Sequence, residues 1–310
     1  MSDAIREREY GLVLACMRRG LIHKAVDGLK RILTEDPDDA TAHALLAHCL
    51  VSLKRPHAAL HEARMALTLD PESSQVHSAM GHALIANRKL REALRHLEQA
   101  RDMEPESAQR ALDLAGAHAL LDERREQLEL VARARELEPD LPEAIVAAGE
   151  IELDGGNVSA AYALAREALE LEPEHIDALV LMGRCELRSG NIDAAREHAK
   201  WALSNNPEDV GALYLLSSIK ARENPLLGLW WRYSTWMNER GSGMAILLLV
   251  GAFVVYRVAV QISIDAGASE VANVVQYVWL GICVYTWVGP VLFQRAVRKE
   301  LGQVELARDF

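Results

Sequence analysis

Histidine is the residue type in this sequence best suited to metal binding or catalysis, because imidazole binds metals and transfers protons near neutral pH. The chain holds 11 histidines. His57 and His61, in HAALH, share one face of a helix but lack the intervening Glu of a HExxH zinc motif and an evident third ligand. His48 and His82 stand 34 residues apart, and we expect them to lie too far apart to share a metal ion. The pattern predicts ordinary helical histidines and no metal site.

Other catalytic patterns are equally scarce in the sequence. It has no GxSxG, no phosphate-binding P-loop and no GxGxxG that opens a helix after a strand. Its four cysteines are scattered without a CxxC pair, which predicts single thiols and not disulfides or a zinc site: Cys16, Cys49, Cys185 and Cys283. We therefore expect a protein that is not an enzyme and needs no cofactor.

The elements that must position these residues are set by a 34-residue period. Six prolines keep this spacing without a slip: Pro37, Pro71, Pro105, Pro139, Pro173 and Pro207. Proline lacks an N–H and ends one helix or opens the next. An acidic residue follows each proline, where it suits the positive N-terminal end of the following helix.

Three columns of mostly small residues keep the same period, and small residues let helices approach closely. The first is Val13, Ala47, Gly81, Ala115, Gly149, Gly183 and Ser217. The second is Ala25, Ala59, Ala93, Gln127, Ala161 and Ala195. The third is Ile32, Ala66, Ala100, Ala134, Ala168 and Ala202. Turn signals at Gly20, Gly155 and Gly190 separate the first two columns.

This pattern closely resembles the tetratricopeptide-repeat (TPR) family, over about residues 6–222. The resemblance implies an all-α fold, a right-handed solenoid of helix–turn–helix repeats whose concave groove is lined by the first helix of each repeat. Gln127 is the residue that breaks a small-residue column. It is either a tolerated substitution with its amide turned to solvent, or a loosened interface that changes the curvature of the array.

The family register implies a set of inward-facing groove residues that would bind a protein partner, as a peptide or a helix. They are Tyr10, Leu14, Met17, Ala44, His48, Ser78, His82, Leu112, Gly116, Val146, Glu150, Val180 and Arg184. The Lys and Asn residues of the family's carboxylate clamp are missing from these positions, which disfavours a co-chaperone. We expect a weakly polar surface that suits an apolar helix or extended segment, unless the groove is filled by the chain itself or by another protomer.

Charge excludes one class of partner. The formal net charge is −11, and the first 225 residues carry 27 basic and 39 acidic groups. An acidic body repels phosphates, so nucleic acid is not an expected partner. The N-terminus MSDAIREREYGL has charges where a signal peptide needs an apolar core, so we do not expect export of the repeats.

Two apolar stretches near the C-terminus predict a transmembrane hairpin. Residues 243–264 contain one charge and residues 271–293 contain none. Each is about 33 Å long as a helix, enough for a hydrocarbon core of roughly 30 Å. Lys and Arg flank both outer ends, and the connecting loop has neither. We therefore expect a two-span protein of the bacterial inner membrane, with the repeats and the C-terminus in the cytoplasm and the lipid bilayer as a partner.

The aromatic residues before the first span fit an amphipathic helix at the membrane interface. The interface residues expected are Trp230, Trp231, Tyr233, Trp236 and Arg257. The tryptophan-rich segment could equally pack on the last repeat as a hydrophobic cap. Arg257 either extends toward the interface, with Gln261 or Gln276 as a local partner, or contacts an acidic residue of another protein.

These inferences divide the chain into four parts. We predict a solenoid over residues 1–222 with six repeats and a capping helix, an aromatic linker helix over 223–242, the hairpin over 243–294 and a short tail over 295–310. The function expected is a membrane-anchored scaffold or adaptor. The alternatives are a structural protein whose solenoids form a homo-oligomer or lattice, and an accessory subunit of a membrane complex bound through the hairpin.

Overall fold

The computed structural model describes residues 3–207, 209–223 and 242–301, and over these ranges the chain forms helices joined by short turns, without a strand. The helices are α1 (Asp3–Arg18), α2 (Ile22–Glu35), α3 (Ala40–Ser52), α4 (Pro56–Leu69), α5 (Ser74–Ala86), α6 (Leu90–Met103), α7 (Ala108–Leu120), α8 (Arg124–Leu137), α9 (Pro142–Asp154), α10 (Val158–Leu171), α11 (Ile176–Ser189), α12 (Ile192–Asn205), α13 (Val210–Glu223), α14 (Ser242–Asp265) and α15 (Ser269–Leu301). The prediction of an all-α repeat solenoid is confirmed.

The first helix of most repeats starts at a capping side chain two residues after the repeat proline. Asp39 Oδ1 accepts a hydrogen bond from the Ala42 N–H at 3.0 Å. Ser73, Ser107, His175 and Asp209, each 34 residues further on or a multiple of it, accept the equivalent bond. Such a bond satisfies an N–H that has no partner within the helix. The acidic residue directly after the proline is not the capping residue.

The turns inside the repeats also follow the period. One residue in each has a positive φ: Gly20, Lys54, Arg88, Asp122, Gly156 and Gly190. Glycine adopts this left-handed conformation freely, whereas a residue with a Cβ loses roughly 1–2 kcal/mol there. Three repeats therefore carry a strained turn that keeps the two antiparallel helices in the same geometry as the glycine turns.

The small-residue columns lie in the core. Ala25, Ala59, Ala93, Ala161 and Ala195 are 0% exposed. Gly149 is buried on α9, where an added Cβ would lie 2.6 Å from Leu181 Cδ2 of the next repeat. The missing side chain lets the first helices of adjacent repeats pack with a leucine in the space. Close packing of this kind explains why the columns contain Ala and Gly.

Gln127 lies on the helix that buries least among the second helices of the repeats. Helix α8 buries only Val131 and Ala134 in the described structure, whereas α2 buries five residues and α6 four. Gln127 itself is half-buried. The structure thus favours the interpretation of a loosened interface in the middle of the array.

The two ends of the repeat array approach each other. A Cβ added to Gly20 would lie 3.8 Å from Cβ and 3.4 Å from Nδ2 of Asn206. Gly20 belongs to the turn between α1 and α2, and Asn206 follows α12. We call this contact between the first repeat and the end of the last repeat the seam.

Helices α14 and α15 form a hairpin after the repeats. They are joined by a turn at Gly267, where φ is +71°, and they bury Val260 and Ala272 between them. The rings of Tyr256 and Trp279 stack across the pair with centroids 4.9 Å apart. Many apolar side chains of the hairpin stay exposed, for example Tyr277 at 74%.

The predicted membrane location is wrong. Over the parts of the chain that the structure describes, no helix combines the length and the apolarity needed to cross a bilayer. Polar side chains interrupt both apolar stretches: Arg257 and Gln261 on α14, and Asn273 and Gln276 on α15. A central arginine alone costs about 2.5–3.5 kcal/mol on insertion scales. The predicted cytoplasmic orientation of the two ends depended on these spans and is wrong with them, and the lipid bilayer is not supported as a partner.

Of the five residues predicted for the membrane interface, the structure describes one, Arg257. Arg257 is exposed on α14, and Gln261, proposed as its partner, instead donates to Asp265 Oδ1 at 2.9 Å. The four aromatic residues Trp230, Trp231, Tyr233 and Trp236 lie outside the described residues. So do almost all of the predicted linker helix (223–242) and the last nine residues of the predicted tail.

Candidate protein-binding groove

The first helices of successive repeats pack side by side, from α3 through α5, α7, α9 and α11 to α13. Most of the predicted groove residues form two columns on these helices and on α1. One column is Tyr10, Ala44, Ser78, Leu112, Val146 and Val180, and it is mostly buried. The other is Leu14, His48, His82, Gly116, Glu150 and Arg184, and it is half-buried or exposed. We call the surface made by the two columns the groove face.

Some predicted residues expose little of their surface. Ala44 is 0% exposed and Ser78 is 1% exposed. Val146 and Val180 are exposed only to 6% and 7%. Met17, on α1, is half-buried beyond the two columns and packs against the buried core of the first three repeats. The side chains accessible to a partner therefore belong mainly to the second column.

A polar cluster occupies the groove face at α5 and α7. Asp113, 8% exposed, accepts hydrogen bonds from Ser78 Oγ at 2.7 Å, Gln109 Nε2 at 3.0 Å and Arg110 Nη1 at 3.0 Å. His82 Nε2 lies 3.3 Å from Asp113 Oδ1, the oxygen that also accepts from Gln109. Burial opposes ionisation of Asp113, but His82, Gln109 and Ser78 more than offset it, so the pKa of this carboxyl is well below its usual value.

His48 extends this cluster toward the first repeats. Its ring centroid lies 5.1 Å from that of His82, so the expected separation of the two histidines is wrong. Residues 34 apart face each other directly because the first helices are adjacent. Burial, and then the neighbouring His82, lower the pKa of His48 to about 4, so the ring is neutral at neutral pH.

The cluster is not arranged for nucleophilic catalysis or metal binding. Asp113 lies between Ser78 and His82, so the serine hydroxyl donates to the carboxylate and not to an imidazole base. A serine nucleophile needs the base within hydrogen-bond reach of its own hydroxyl. No group of three metal-ligating side chains occurs among the described residues.

Gly116 leaves a gap in the exposed column. It is exposed on α7, and a Cβ added there would meet no atom within 4 Å. The equivalent residues on either side carry large polar side chains, His82 and Glu150. A partner side chain can therefore enter the groove face at this position without displacing anything.

An apolar cavity follows the gap. It has a volume of about 640 Å³ and lies between α9, α11 and α13, with Val146, Val180 and Tyr214 in its lining. Glu150 at its edge pairs with Arg184, the equivalent residue of the next repeat, and Arg184 also contacts Asp154 at 3.4 Å. Cavities of this size are typical of ligand sites.

Sequence reasoning missed the residue that organises the polar cluster. Asp113 occupies a register position that is apolar in the other repeats, at Leu45, Ala79, Ala147 and Leu181. A charged residue in an apolar column was the signal available in the sequence. Gln109 and Arg110 were also missed, because the family register names two columns and not their neighbours. Tyr214, 34 residues after Val180, continues the first column but lies beyond the last predicted groove residue.

Family models described as "Tetratricopeptide repeat" match residues 17–83 and 152–219, and residues 78–142. Together they cover more than half of the chain. No curated protein sequence matches the chain significantly.

Solved structures of repeat proteins match the chain as well. A thermophilic TPR protein of Thermus thermophilus is 26% identical, with a TM-score of 0.54, and the match covers 58% of this chain and 98% of that protein. PilW, a type IV pilus biogenesis factor, is 19% identical, with a TM-score of 0.50, over 69% of this chain and all of PilW.

A larger relative shares the fold over a longer part of this chain. The structure of the APC/C hetero-tetramer Cut9–Hcn1 matches with 14% identity and a TM-score of 0.62, over 93% of this chain and 55% of that chain. At such low identity the likeness concerns the fold alone. The repeat period, the capped helix pairs and the family models agree, and the chain belongs to the tetratricopeptide-repeat family.

Proposed function

We propose that this protein is a scaffold that binds a segment of a protein partner along the groove face. TPR folds are suited to protein–protein interaction, and those of this family are generally not enzymes. The observation that carries the proposal is the open position at Gly116, placed between a polar cluster on one side and an apolar cavity on the other. A segment that crosses it gains polar contacts and apolar burial together.

The chemistry of the groove face indicates what the segment offers. The cavity next to Val146, Val180 and Tyr214 suits an apolar side chain. Glu150 and Arg184 at its edge are already paired with each other, and so are Asp113 and Arg110 in the polar cluster. Affinity then comes from the apolar anchor, and the paired groups contribute specificity, since a mismatched partner would leave buried charges without a partner.

Two substitutions of the same glycine test the proposal. Gly116→Trp places a bulky side chain at the open position, where an added Cβ meets no atom within 4 Å, whereas Gly116→Ala adds only that Cβ. Peptides are first selected from a random library on the immobilised full chain, and their affinities are then measured by fluorescence anisotropy. We expect Gly116→Trp to weaken binding by at least tenfold and Gly116→Ala to leave it unchanged.

Circular dichroism of both variants shows whether the fold is kept. If the selected peptides bind Gly116→Trp and the wild-type protein equally well, the groove face is not the binding surface.

A further inference from the structure

A second cavity lies at the seam, away from the two columns of the groove face. Its volume is about 760 Å³. One wall comes from the first two repeats, with Val26 and Lys30 on α2 and Leu50 on α3. The other wall comes from the opposite end of the array, with Pro207 and Leu213. The cavity therefore exists only because the two ends of the solenoid meet.

The lining combines an apolar floor with cationic side chains. Val26, Leu46 and Leu50 each remain 7% exposed at the floor. Lys30, Lys54 and Arg55 also line the cavity, and they are exposed. None of these three cations forms an ion pair or a side-chain hydrogen bond within the described part of the chain.

The acidic residues in the lining do not neutralise these cations. Glu62 is engaged with His43, whose Nδ1 lies 2.6 Å from its carboxylate. Asp27 is the other carboxylate in the lining, so two carboxylates, one of them engaged, face three cations. The cavity therefore has an excess of positive charge in a protein whose formal net charge is −11.

We infer that the seam cavity binds an acidic protein segment that places a large apolar side chain on its floor. The three unpaired cations complement the negative charge of the segment. The apolar floor buries its apolar side chain, which a small soluble anion does not have. The volume falls in the range of about 300–1,000 Å³ typical of ligand sites. A nucleic acid fits poorly, because its continuous phosphates would also face the acidic body of the solenoid.

A ligand in this cavity touches both ends of the array at once. Binding energy that needs both walls favours the arrangement in which the ends are in contact, by linkage. Unlike the groove face, this site forms only when the two ends of the solenoid are in contact, so binding there depends on that contact.

The test uses the full chain and two fluorescein-labelled nine-residue peptides, one of alternating Glu and Leu and one of alternating Lys and Leu. We expect the Glu–Leu peptide to bind at least tenfold more tightly in anisotropy titrations, and to weaken as salt screens the charges. Lys30→Glu combined with Lys54→Glu should reduce its affinity by at least tenfold.

Three matched variants make the result decisive. Lys24→Glu changes the same charge on the same helix at an exposed position outside the cavity, and it should leave the affinity unchanged. Leu213→Ala, in the opposite wall, should weaken binding several-fold. Gly116→Trp blocks the groove face, and it should have no effect on the Glu–Leu peptide.

The other outcomes overturn the inference. Equal binding of the two peptides, or equal loss with Lys24→Glu, would show that no cationic site is formed. Loss of binding in Gly116→Trp would place the Glu–Leu peptide on the groove face and leave the proposed function intact. An unchanged affinity in Leu213→Ala would show that the ends do not build the site together. Circular dichroism confirms that each variant is folded.

Discussion

Individual glycines on the first helices have opposite surroundings although they belong to the same kind of repeat. Gly149 is buried, and an added Cβ would lie 2.6 Å from Leu181 Cδ2 and 3.3 Å from Leu164 Cβ. Gly116 is exposed and has open space around it. The first glycine is needed for packing, while the second only costs the helix conformational entropy.

Substitution of these two glycines should therefore act in opposite directions. Gly149→Leu should destabilise the protein by about 1–3 kcal/mol or more, because the new side chain overpacks the contact between repeats. Gly116→Ala should stabilise it by about 0.5–1 kcal/mol. Urea unfolding followed by circular dichroism measures both. Equal midpoints for wild type and Gly149→Leu would contradict the role of the small-residue column.

Three histidines, His48, His96 and His198, make stability depend on pH in the weakly acidic range. Burial, with His82 adding to it, lowers the pKa of His48 from 6.5 to about 4. Burial, followed by His77 and Arg95, lowers the pKa of His96. Burial also lowers the pKa of His198. The unfolded chain binds more protons than the native one between these values, so stability is present above pH 6.5 and is lost as the pH falls toward 4.

We expect the melting temperature to fall by a few degrees between pH 7.5 and pH 5. The double variant His48→Gln, His96→Gln should weaken this dependence and leave the part that His198 contributes, whereas His57→Gln with His61→Gln, at two exposed positions, should not change it. The lowered pKa of Asp113 acts only below about 3.8 and stays outside this window. A wild-type melting temperature that is constant from pH 7.5 to pH 5 would contradict the prediction.

At the scale of elements, the repeat formed by α7 and α8 differs from its neighbours. Helix α8 buries only two residues in the described structure, and α7 carries the buried Asp113 and the open Gly116. In a repeat array each unit is stabilised mainly by its neighbours, so a weak unit is tolerated between strong ones. The repeat formed by α7 and α8 thus buries fewer apolar residues on its second helix than its neighbours do, and its first helix carries the Asp113 of the polar cluster.

Three of the turns inside the repeats adopt a strained backbone conformation, which the neighbouring helices hold in place. Lys54, Arg88 and Asp122 adopt a left-handed conformation that glycine adopts in the other repeats. The helix pairs on either side over-determine this geometry, since both helices are packed against the next repeat. Lys54 also lines the seam cavity, so one strained turn carries a residue of the inferred site.

For the whole molecule, the decisive feature is the closure of the repeat array. A Cβ on Gly20 would lie 3.8 Å from that of Asn206, within the range of about 3.5–4.5 Å that a disulfide requires. Gly20→Cys with Asn206→Cys, in a chain whose four native cysteines are replaced by Ala, should therefore form an intramolecular disulfide. Non-reducing gel electrophoresis and the intact mass detect it.

A matched pair provides the control for that measurement. Asn87→Cys with Asn206→Cys should not cross-link within one molecule, because residue 87 belongs to a turn two repeats further along the array than Gly20. Disulfide-linked dimers alone, without the internal bridge, would show that the ends of one chain do not meet.

The sequence alone determined the fold of the repeats and the class of the protein. Proline and small-residue columns with a constant period leave few packings available, because each repeat can bury its apolar face only against the next copy. The same reasoning identified Gln127 as an irregular position. The sequence did not determine the location of the protein, since the length and apolarity of the two stretches were taken to outweigh Arg257, Gln261 and Gln276.

Tertiary structure decided which groove residues are accessible and what surrounds them. Ala44 and Ser78 follow the register but are buried, while His48 and His82, distant in sequence, are in contact because adjacent first helices lie side by side. Gly20 meets Asn206 at the seam because the small rotations between successive repeats add up over the array. No local sequence pattern specifies that total rotation. Periodicity determines how one repeat contacts the next, whereas the small rotation between repeats, set by side-chain packing, decides where the two ends of the molecule meet.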